Sequence, residues 1–480
     1  MDNMLCDELL QEIFRRLPST PSSSLSVSLV SKRWLNLYRS SKTSLSLRFL
    51  PHNSVIVSLS SLLSYYPSLS SLSLVLSDAI TNATLSNNNP STAFFDHLLF
   101  VVSSCCSNLH HLRFLAGPVS VSSLLSLSKA CSHLTCITVS LSKPLFLNWV
   151  VSFSCLKELC LYVCSTDGVD DEGKRFGLCL NEELDAEFGL ESLCLSGIQA
   201  DDKGVGWLWR NCKRLKKLQL KSCESVGDVE SFSSFILCVE GLQEVELRKC
   251  RSIVDGVLLR LAENCASLNS LLVYDGGSGD GLLEFINTCR CNLQKLDLRL
   301  PLDLNNDHLL AVAMNLRGLS TLRLQSSCLV TGEGLRILGT ALHSSLKELA
   351  LINCDVVERE HGLLATLGQN LRMLRKLDLS YNEMLLDKEF ISMLVSCNDL
   401  TELKLRGCRK LTSMTLVSVS KTCKRLQSVD IMNCPGIEAQ AVEFFVLNCP
   451  HMRQMQVEES KVSNVARTWA LHKVIEVTAG

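Results

Sequence analysis

Cysteine is the residue whose frequency first invites a chemical reading, with 24 in a chain of 480 residues. Thiols form disulfides, ligate metals or act as nucleophiles, and their spacing separates these uses. No Cys-x-x-Cys pair occurs, which removes the usual spacing of a structural zinc site. Cys105-Cys106 and Cys289-Arg-Cys291 are close pairs that read as helix ends. Many of the others hold fixed places in a recurring pattern, L-x-x-L-x-L-x-x-C. Cys164, Cys223, Cys250, Cys354, Cys408 and Cys434 close that pattern, while Cys106, Cys131, Cys212, Cys265, Cys397, Cys423 and Cys449 lie three residues before its leading Leu. Small residues at equivalent places along a repeat read as buried packing positions, so these thiols are expected to be free and reduced. Other chemistry is thin. His110-His111 has no evident metal partner, and Asp167-Gly-Val-Asp-Asp-Glu-Gly173 lacks the ligand spacing and closing Glu of a calcium loop. No nucleophile-and-base constellation, phosphate loop or zinc-hydrolase signature is present, so the reading assigns no catalytic and no metal-binding residue.

The elements that place the cysteines follow from the same pattern. Leu215-Lys-Lys-Leu-Gln-Leu-Lys-Ser-Cys223 returns as Leu242–Cys250, Leu346–Cys354, Leu400–Cys408 and Leu426–Cys434. From Leu190 the units begin at Leu215, Leu242, Leu268, Leu293, Leu319, Leu346, Leu374, Leu400, Leu426 and, in degraded form, Met452, at intervals of 25 to 28 residues. Less regular units begin at Leu69, Leu109, Leu134 and Leu156, after a Ser- and Leu-rich stretch with room for an opening strand. A consensus of this kind, closing on Asn or Cys, is the leucine-rich repeat. The expected fold class is α/β: a curved solenoid with parallel strands on the concave face and helices on the convex face, because strands stack about 4.8 Å apart and helices about 8–10 Å. One unit cannot offset its own chain entropy and must lean on its neighbours. Polar insertions are expected near 77–92 and 165–189, and Asp255 and Thr331 read as helix N-caps. After Val457 a short helix from Val462 to Trp469 and a strand at Lys473–Val477 would cap the last repeat.

The first residues differ from the rest. Asp7 to Leu17 has Leu9, Leu10, Ile13, Phe14 and Leu17 at helical spacing, and Pro18 and Pro21 end it. A second helical pattern from about Leu25 places Leu29, Val30, Trp34 and Leu37 on one side. Leu5-Cys-Asp-Glu-Leu-Leu-Gln-Glu-Ile-Phe-Arg-Arg-Leu-Pro18, followed by Ser28-Leu-Val-Ser-Lys-Arg-Trp34, resembles an F-box, with Cys6 standing where that pattern usually has Pro. The whole arrangement is most similar to plant F-box/leucine-rich-repeat proteins with cysteine-containing repeats. The expected domains are 1–45 for the F-box, 46–457 for the solenoid and 458–480 for a C-terminal cap or tail.

The resemblance implies a non-catalytic substrate-recognition subunit of an SCF-type ubiquitin ligase. Leu5, Leu9, Ile13, Leu17, Val30 and Trp34 would dock a Skp-family adaptor, and through it the cullin and RING subunits. The repeat array would hold a protein client, bringing its lysines near the loaded enzyme. Alternation along the strands turns Lys217, Gln219, Lys221, Glu244, Glu246, Arg248, Lys295, Asp297, Arg299, Arg323, Lys376, Lys404 and Arg406 outward. The cations among them, Lys217, Lys221, Arg248, Lys295, Arg299, Arg323, Lys376, Lys404 and Arg406, are the candidate client contacts. Hormone-receptor relatives hold a phosphate-rich cofactor. Lys217, Lys221, Arg248, Arg299 and Arg323 are the residues that would cluster around an inositol phosphate, but Glu244, Glu246 and Asp297 stand ready to neutralise them, so no cofactor is assigned. Two alternatives stay open: an interaction scaffold or inhibitor whose first helices only cap the solenoid, and a small-molecule or hormone co-receptor on the same architecture. A net charge of −2 argues against a general nucleic-acid or membrane-surface binder. An N-terminus without an apolar signal core points to the cytosol or nucleus.

Overall fold

The structure is a computed structural model describing residues 5–17, 26–52, 54–77, 92–164, 189–202, 204–227, 229–300, 303–472 and 476–479. The expected insertions and the acidic 167–173 stretch fall almost wholly or wholly outside these residues, as do Pro18 and Pro21. The chain divides into two compact units, Met1–Cys238 and Val239–Gly480. The first opens with helices α1 (Asp7–Arg16) and α2 (Lys32–Ser41) and, among the described residues, continues through seven strands. These are β1 (Ser44–Phe49), β2 (Ser71–Leu76), β3 (His111–Pro118), β4 (Cys136–Ser142), β5 (Glu158–Cys164), β6 (Ser192–Ser196) and β7 (Lys217–Lys221). The second contains β8 (Glu244–Arg248), β9 (Ser270–Tyr274), β10 (Lys295–Arg299), β11 (Thr321–Gln325), β12 (Glu348–Ile352), β13 (Lys376–Asp378), β14 (Glu402–Lys404), β15 (Ser428–Asp430), β16 (Gln454–Val457) and β17 (Glu476–Ala479). Within each unit every strand pairs in parallel with the next along the chain, and equivalent leucines align, as Leu193 with Leu218 and Leu195 with Leu220. Each unit is therefore a leucine-rich-repeat stack, with helices such as Val254–Asn264 and Gly332–Ala341 covering one side of the strands.

Packing follows the repeat. The leading leucines from Leu190 to Leu426 are buried, as are the two leucines or their substitutes inside each strand. The helices add apolar stripes beneath them, for example Val254, Val257, Leu258 and Leu261. Among the described residues no helix is long and apolar enough to cross a membrane.

Two backbone features recur. The eighth position of the motif is left-handed in each unit from Leu190 to Leu426: Gly197, Ser222, Lys249, Asp275, Leu300, Ser326, Asn353, Tyr381, Gly407 and Asn433 all have positive φ. Glycine does this without a steric penalty and Asn or Asp at a small one, but Leu300 at φ 57° is strained. The ninth position turns its side chain back to the preceding strand. The thiols of Cys223, Cys354, Cys408 and Cys434 donate to the carbonyls of Leu195, Leu324, Leu379 and Leu405 at 3.5, 3.6, 3.1 and 3.0 Å. In the unit starting at Leu374 this place is taken by Asn382, buried at 1% exposure. Its amide donates to the carbonyls of Leu351 and Leu379, and its oxygen accepts from the Cys354 N–H.

Several expectations are corrected. The second helical pattern is broken in two: residues 26–28 are helical as expected, but a separate helix starts at Lys32, where the Ser31 hydroxyl caps it by accepting the Trp34 N–H at 3.2 Å. Leu29 and Val30 lie in the turn before it. Asp255 does not cap its own helix, which is preceded by Ile253; its carboxylate accepts the Ser278 N–H of the next repeat instead. Thr331 stands at an N-cap, but its hydroxyl accepts from Asn306 of the preceding repeat and makes no cap bond. In both cases bonding between repeats replaces bonding within one helix. At the end of the chain, helix Asn464–His472 precedes β17, which pairs with β16. Cys164 is only half-buried, unlike the other closing cysteines.

Replacing Asn382 with Ala removes the side-chain partner of the Leu351 carbonyl and of the Cys354 N–H, and one of the two donors to the Leu379 carbonyl, and should cost about 2–4 kcal/mol. Asn382→Cys, which restores the side chain used elsewhere in the array, should recover most of that loss in urea unfolding. Equal midpoints for the two variants would refute this role. The buried thiols make a second expectation. Burial pushes Cys131, Cys354 and Cys434 up to about 11 and Cys106, Cys212 and Cys397 up to about 12. An unfolded chain releases these protons above about 8.5, whereas the folded chain holds them. Their contribution is thus complete below that pH and is lost as pH rises through 11 to 12. Urea midpoints under reductant should be level from about pH 7 to 8.5 and fall by pH 11; a level profile to pH 11 would refute the linkage.

Candidate functional site

Two surfaces combine residues that the sequence singles out. The first is the N-terminal helical pair. Helices α1 and α2 close on a small core of Leu10, Phe14, Val27 and Tyr38, with Leu5, Leu17, Trp34 and Leu37 packed against it. Phe14 meets Trp34 and Tyr38 edge to face at centroid distances of 5.5 and 5.8 Å. Arg33 ties the start of the pair together, donating to the Leu5 carbonyl and to Asp7. On the other side, Arg39 lies over the Tyr65 ring at 4.4 Å, fixing α2 to the first repeat.

This packing divides the six expected adaptor contacts. Leu9, Ile13 and Val30 are outward, at 48%, 41% and 55% exposure, and Leu29 joins them at 85%. Leu9 and Ile13 are four residues apart and share one stripe of α1. Leu5, Leu17 and Trp34 instead face the small core, because two short helices have few other side chains with which to close it. Sequence periodicity gives Leu9 and Leu10 equal weight as apolar residues; only the position of α2 shows which of the two is covered.

The second surface is the exposed sheet face of the second unit. Its middle row runs in register through Asp297, Arg323, Ala350, Asp378, Lys404, Asp430 and Gln456. Arg299 holds Asp297 through two bonds, at 2.9 and 2.8 Å. Arg323 reaches over the small Ala350 to Asp378 at 3.2 Å. Lys376 bridges Glu348 at 4.0 Å and Glu402 at 3.3 Å, and Lys404 also meets Glu402 at 2.9 Å. Arg406 pairs with Asp430 at 2.9 Å and donates to Gln456 at 2.9 Å. Arg248 pairs with Glu246 at 3.0 Å, whereas Lys295 is exposed. Lys217 and Lys221 occupy the corresponding face of β7 in the first unit, both half-buried.

Electrostatics follow the pairing. Donating hydrogen bonds to the Asp297 and Asp430 carboxylates holds Arg299 and Arg406 still more firmly protonated. Burial pulls Glu402 upward, but Lys404 and Lys376 outweigh it and leave its carboxyl below the usual range. The expected cluster of basic residues is therefore a lattice of paired charges. Asp297, expected to face outward, is only 3% exposed, because Arg299 folds over it. The acids that complete the lattice, Asp378, Glu402 and Asp430, occupy the same alternating positions as the named cations, and that alternation was the signal available for finding them.

No protein-family model matches the chain. Solved structures of similar organisation include the yeast Rad7 and Elc1 complex, at 13% identity and a TM-score of 0.42 over 99% of this chain and 93% of that one. An internalin, InlF, from Listeria monocytogenes shares 15% identity at a TM-score of 0.34, over 89% of this chain and 94% of that one. The leucine-rich repeat-containing protein LegL7 from Legionella pneumophila shares 14% identity at 0.39, over 58% of this chain and 97% of that one. These identities and scores describe likeness of fold and carry no functional argument.

Removing the charge of Asp297 strands a partly covered guanidinium. Asp297→Asn should lower stability by about 1–2 kcal/mol, at the low end for breaking a buried pair because the Arg299 side chain keeps 27% exposure. Asp297→Asn combined with Arg299→Gln should recover part of the loss in urea unfolding; additive losses would show that the pair is not coupled.

Proposed function

We propose that this chain is a substrate-recognition subunit of an SCF-type ubiquitin ligase. The observation that carries the reading is that four apolar side chains, Leu9 and Ile13 on α1 and Leu29 and Val30 in the turn before α2, face outward from a helical pair whose own core is already closed. It stands on the stretch that resembles an F-box. Exposed apolar side chains grouped on so small an element are costly in water and suit a partner's apolar surface. That partner is a Skp-family adaptor, which would link the chain to cullin and RING subunits. The chain performs no chemistry of its own in this reading. The charged sheet face of the second unit is the client surface, where paired charges favour a client of matching pattern and penalise others. The client's ubiquitination then follows from proximity, in the cytosol or nucleus.

Co-purification of the full chain with a Skp-family adaptor tests the reading. Leu9→Asp with Ile13→Asp places two charges on the outward stripe without touching Leu10 or Phe14, so the thermal midpoint should change little while adaptor capture is lost. Lys376→Glu, on the sheet face, should leave adaptor capture intact. Wild-type chain that fails to capture the adaptor, or a double variant that captures it normally, would instead support the interaction-scaffold reading.

A further inference from the structure

Among the cysteines outside the two repeat-locked sets, two face each other across neighbouring strands. Cys160 and Cys194 occupy the fifth, outward position of the units beginning at Leu156 and Leu190, and they are direct partners in the parallel register of β5 and β6. Their side chains therefore leave the same face of the sheet side by side. Cys160 is half-buried and Cys194 is 6% exposed. Tyr162, two residues along β5, leaves the same face, opposite Ser196. Lys221 of β7 acts on Cys160 through its charge, and Arg113 of β3 acts likewise on Tyr162. Cys136 of β4, the nearest other thiol by strand position, lies in the preceding row, opposite Glu158.

We infer that Cys160 and Cys194 form a two-thiolate site for a soft monovalent cation of the copper(I) class. Three features select that chemistry. Thiolates are the ligands that soft cations prefer. Zinc would need four ligands, and among the described residues no group of three or more Cys, His, Asp or Glu side chains is placed to hold a metal. A single cation between two thiolates leaves one net negative charge, which Lys221 stands near to offset. A disulfide suits the place less well, because neighbouring strands lie about 4.8 Å apart whereas bridged Cβ atoms sit about 3.5–4.5 Å apart. Binding involves no redox step: each thiol loses its proton to water, two sulfur–metal bonds form, and the cation leaves whatever chelator delivered it. Because each sulfur–metal bond displaces a proton, affinity should weaken as pH falls.

The test uses the full, reduced chain under anaerobic conditions, with copper(I) supplied as its bicinchoninate complex and the chelator in excess to strip single exposed thiols. One copper(I) should remain per chain, with thiolate-to-copper absorption in the ultraviolet. Cys160→Ser and Cys194→Ser should each abolish that retention, whereas Cys289→Ser with Cys291→Ser, which removes another close pair, should preserve it. Lys221→Met keeps both sulfurs and should weaken affinity by about tenfold. Far-ultraviolet dichroism checks that each variant is folded; if Cys194→Ser is not, Cys160→Ser and Lys221→Met decide the matter. Wild-type retention by either folded Cys variant, loss on changing Cys289 and Cys291, or zinc held as tightly as copper would overturn the assignment.

Discussion

The structure depends on how one repeat satisfies the backbone of the one before it. Where a strand ends and the chain turns toward its helix, carbonyls such as those of Leu195, Leu324, Leu351, Leu379 and Leu405 meet a side chain from the following unit. A thiol is a weak donor, but it is small and lets the leucines on either side close over it. Asn382 makes three such bonds where the cysteines make one or two. The left-handed residue just before this position directs the side chain inward, so the strain seen at Leu300 is part of the cost of presenting the donor. Helix-side bonds act in the same sense: Asp255 to Ser278, Asn306 to Thr331 and Asp387 to Thr412 all link successive units. The donors and acceptors of one unit are completed largely by its neighbours, as expected for a stack whose units cannot fold singly.

That arrangement explains what could be read from the sequence and what could not. The leucines recur at a nearly constant interval because each must occupy the same buried place, so strand positions and their inward faces were legible from Leu190 onward. The left-handed eighth position was not, since Ser222, Lys249, Leu300 and Tyr381 share no chemistry that marks it. Asp255 and Thr331 looked like caps because N-cap preference is a local rule, and a neighbouring repeat competes for the same oxygens. Asp297 looked exposed because alternation gives the direction of a side chain but not whether an arginine two residues on will cover it. At the N-terminus the apolar spacing identified helices, while the split between Phe14, which closes the core, and Ile13, which leaves it, needed the position of α2.

The two candidate surfaces use different physics. The helical pair offers apolar area and little charge on its outward stripe, which suits a lasting contact with one partner. The sheet face offers charge that is already paired, so any client must exchange internal partners for its own. Such a surface discriminates by penalty as much as by attraction. The cysteines Cys160 and Cys194 lie on a less charged face in the first unit, where sulfur and a phenol replace the acid–base lattice.

The reach of Arg323 across Ala350 has a mechanical consequence. Stacked repeats are ordinarily coupled only to their immediate neighbours, so they can fray one at a time from an end. Arg323 to Asp378 spans β11 to β13, and Arg406 to Gln456 spans β14 to β16. Each of these contacts couples next-nearest neighbours, so the strand between cannot loosen without strain on both sides. In the language of a one-dimensional chain, they lengthen the correlation distance within the second unit. A force or a bound partner applied at one strand is then shared over several rather than absorbed by the first.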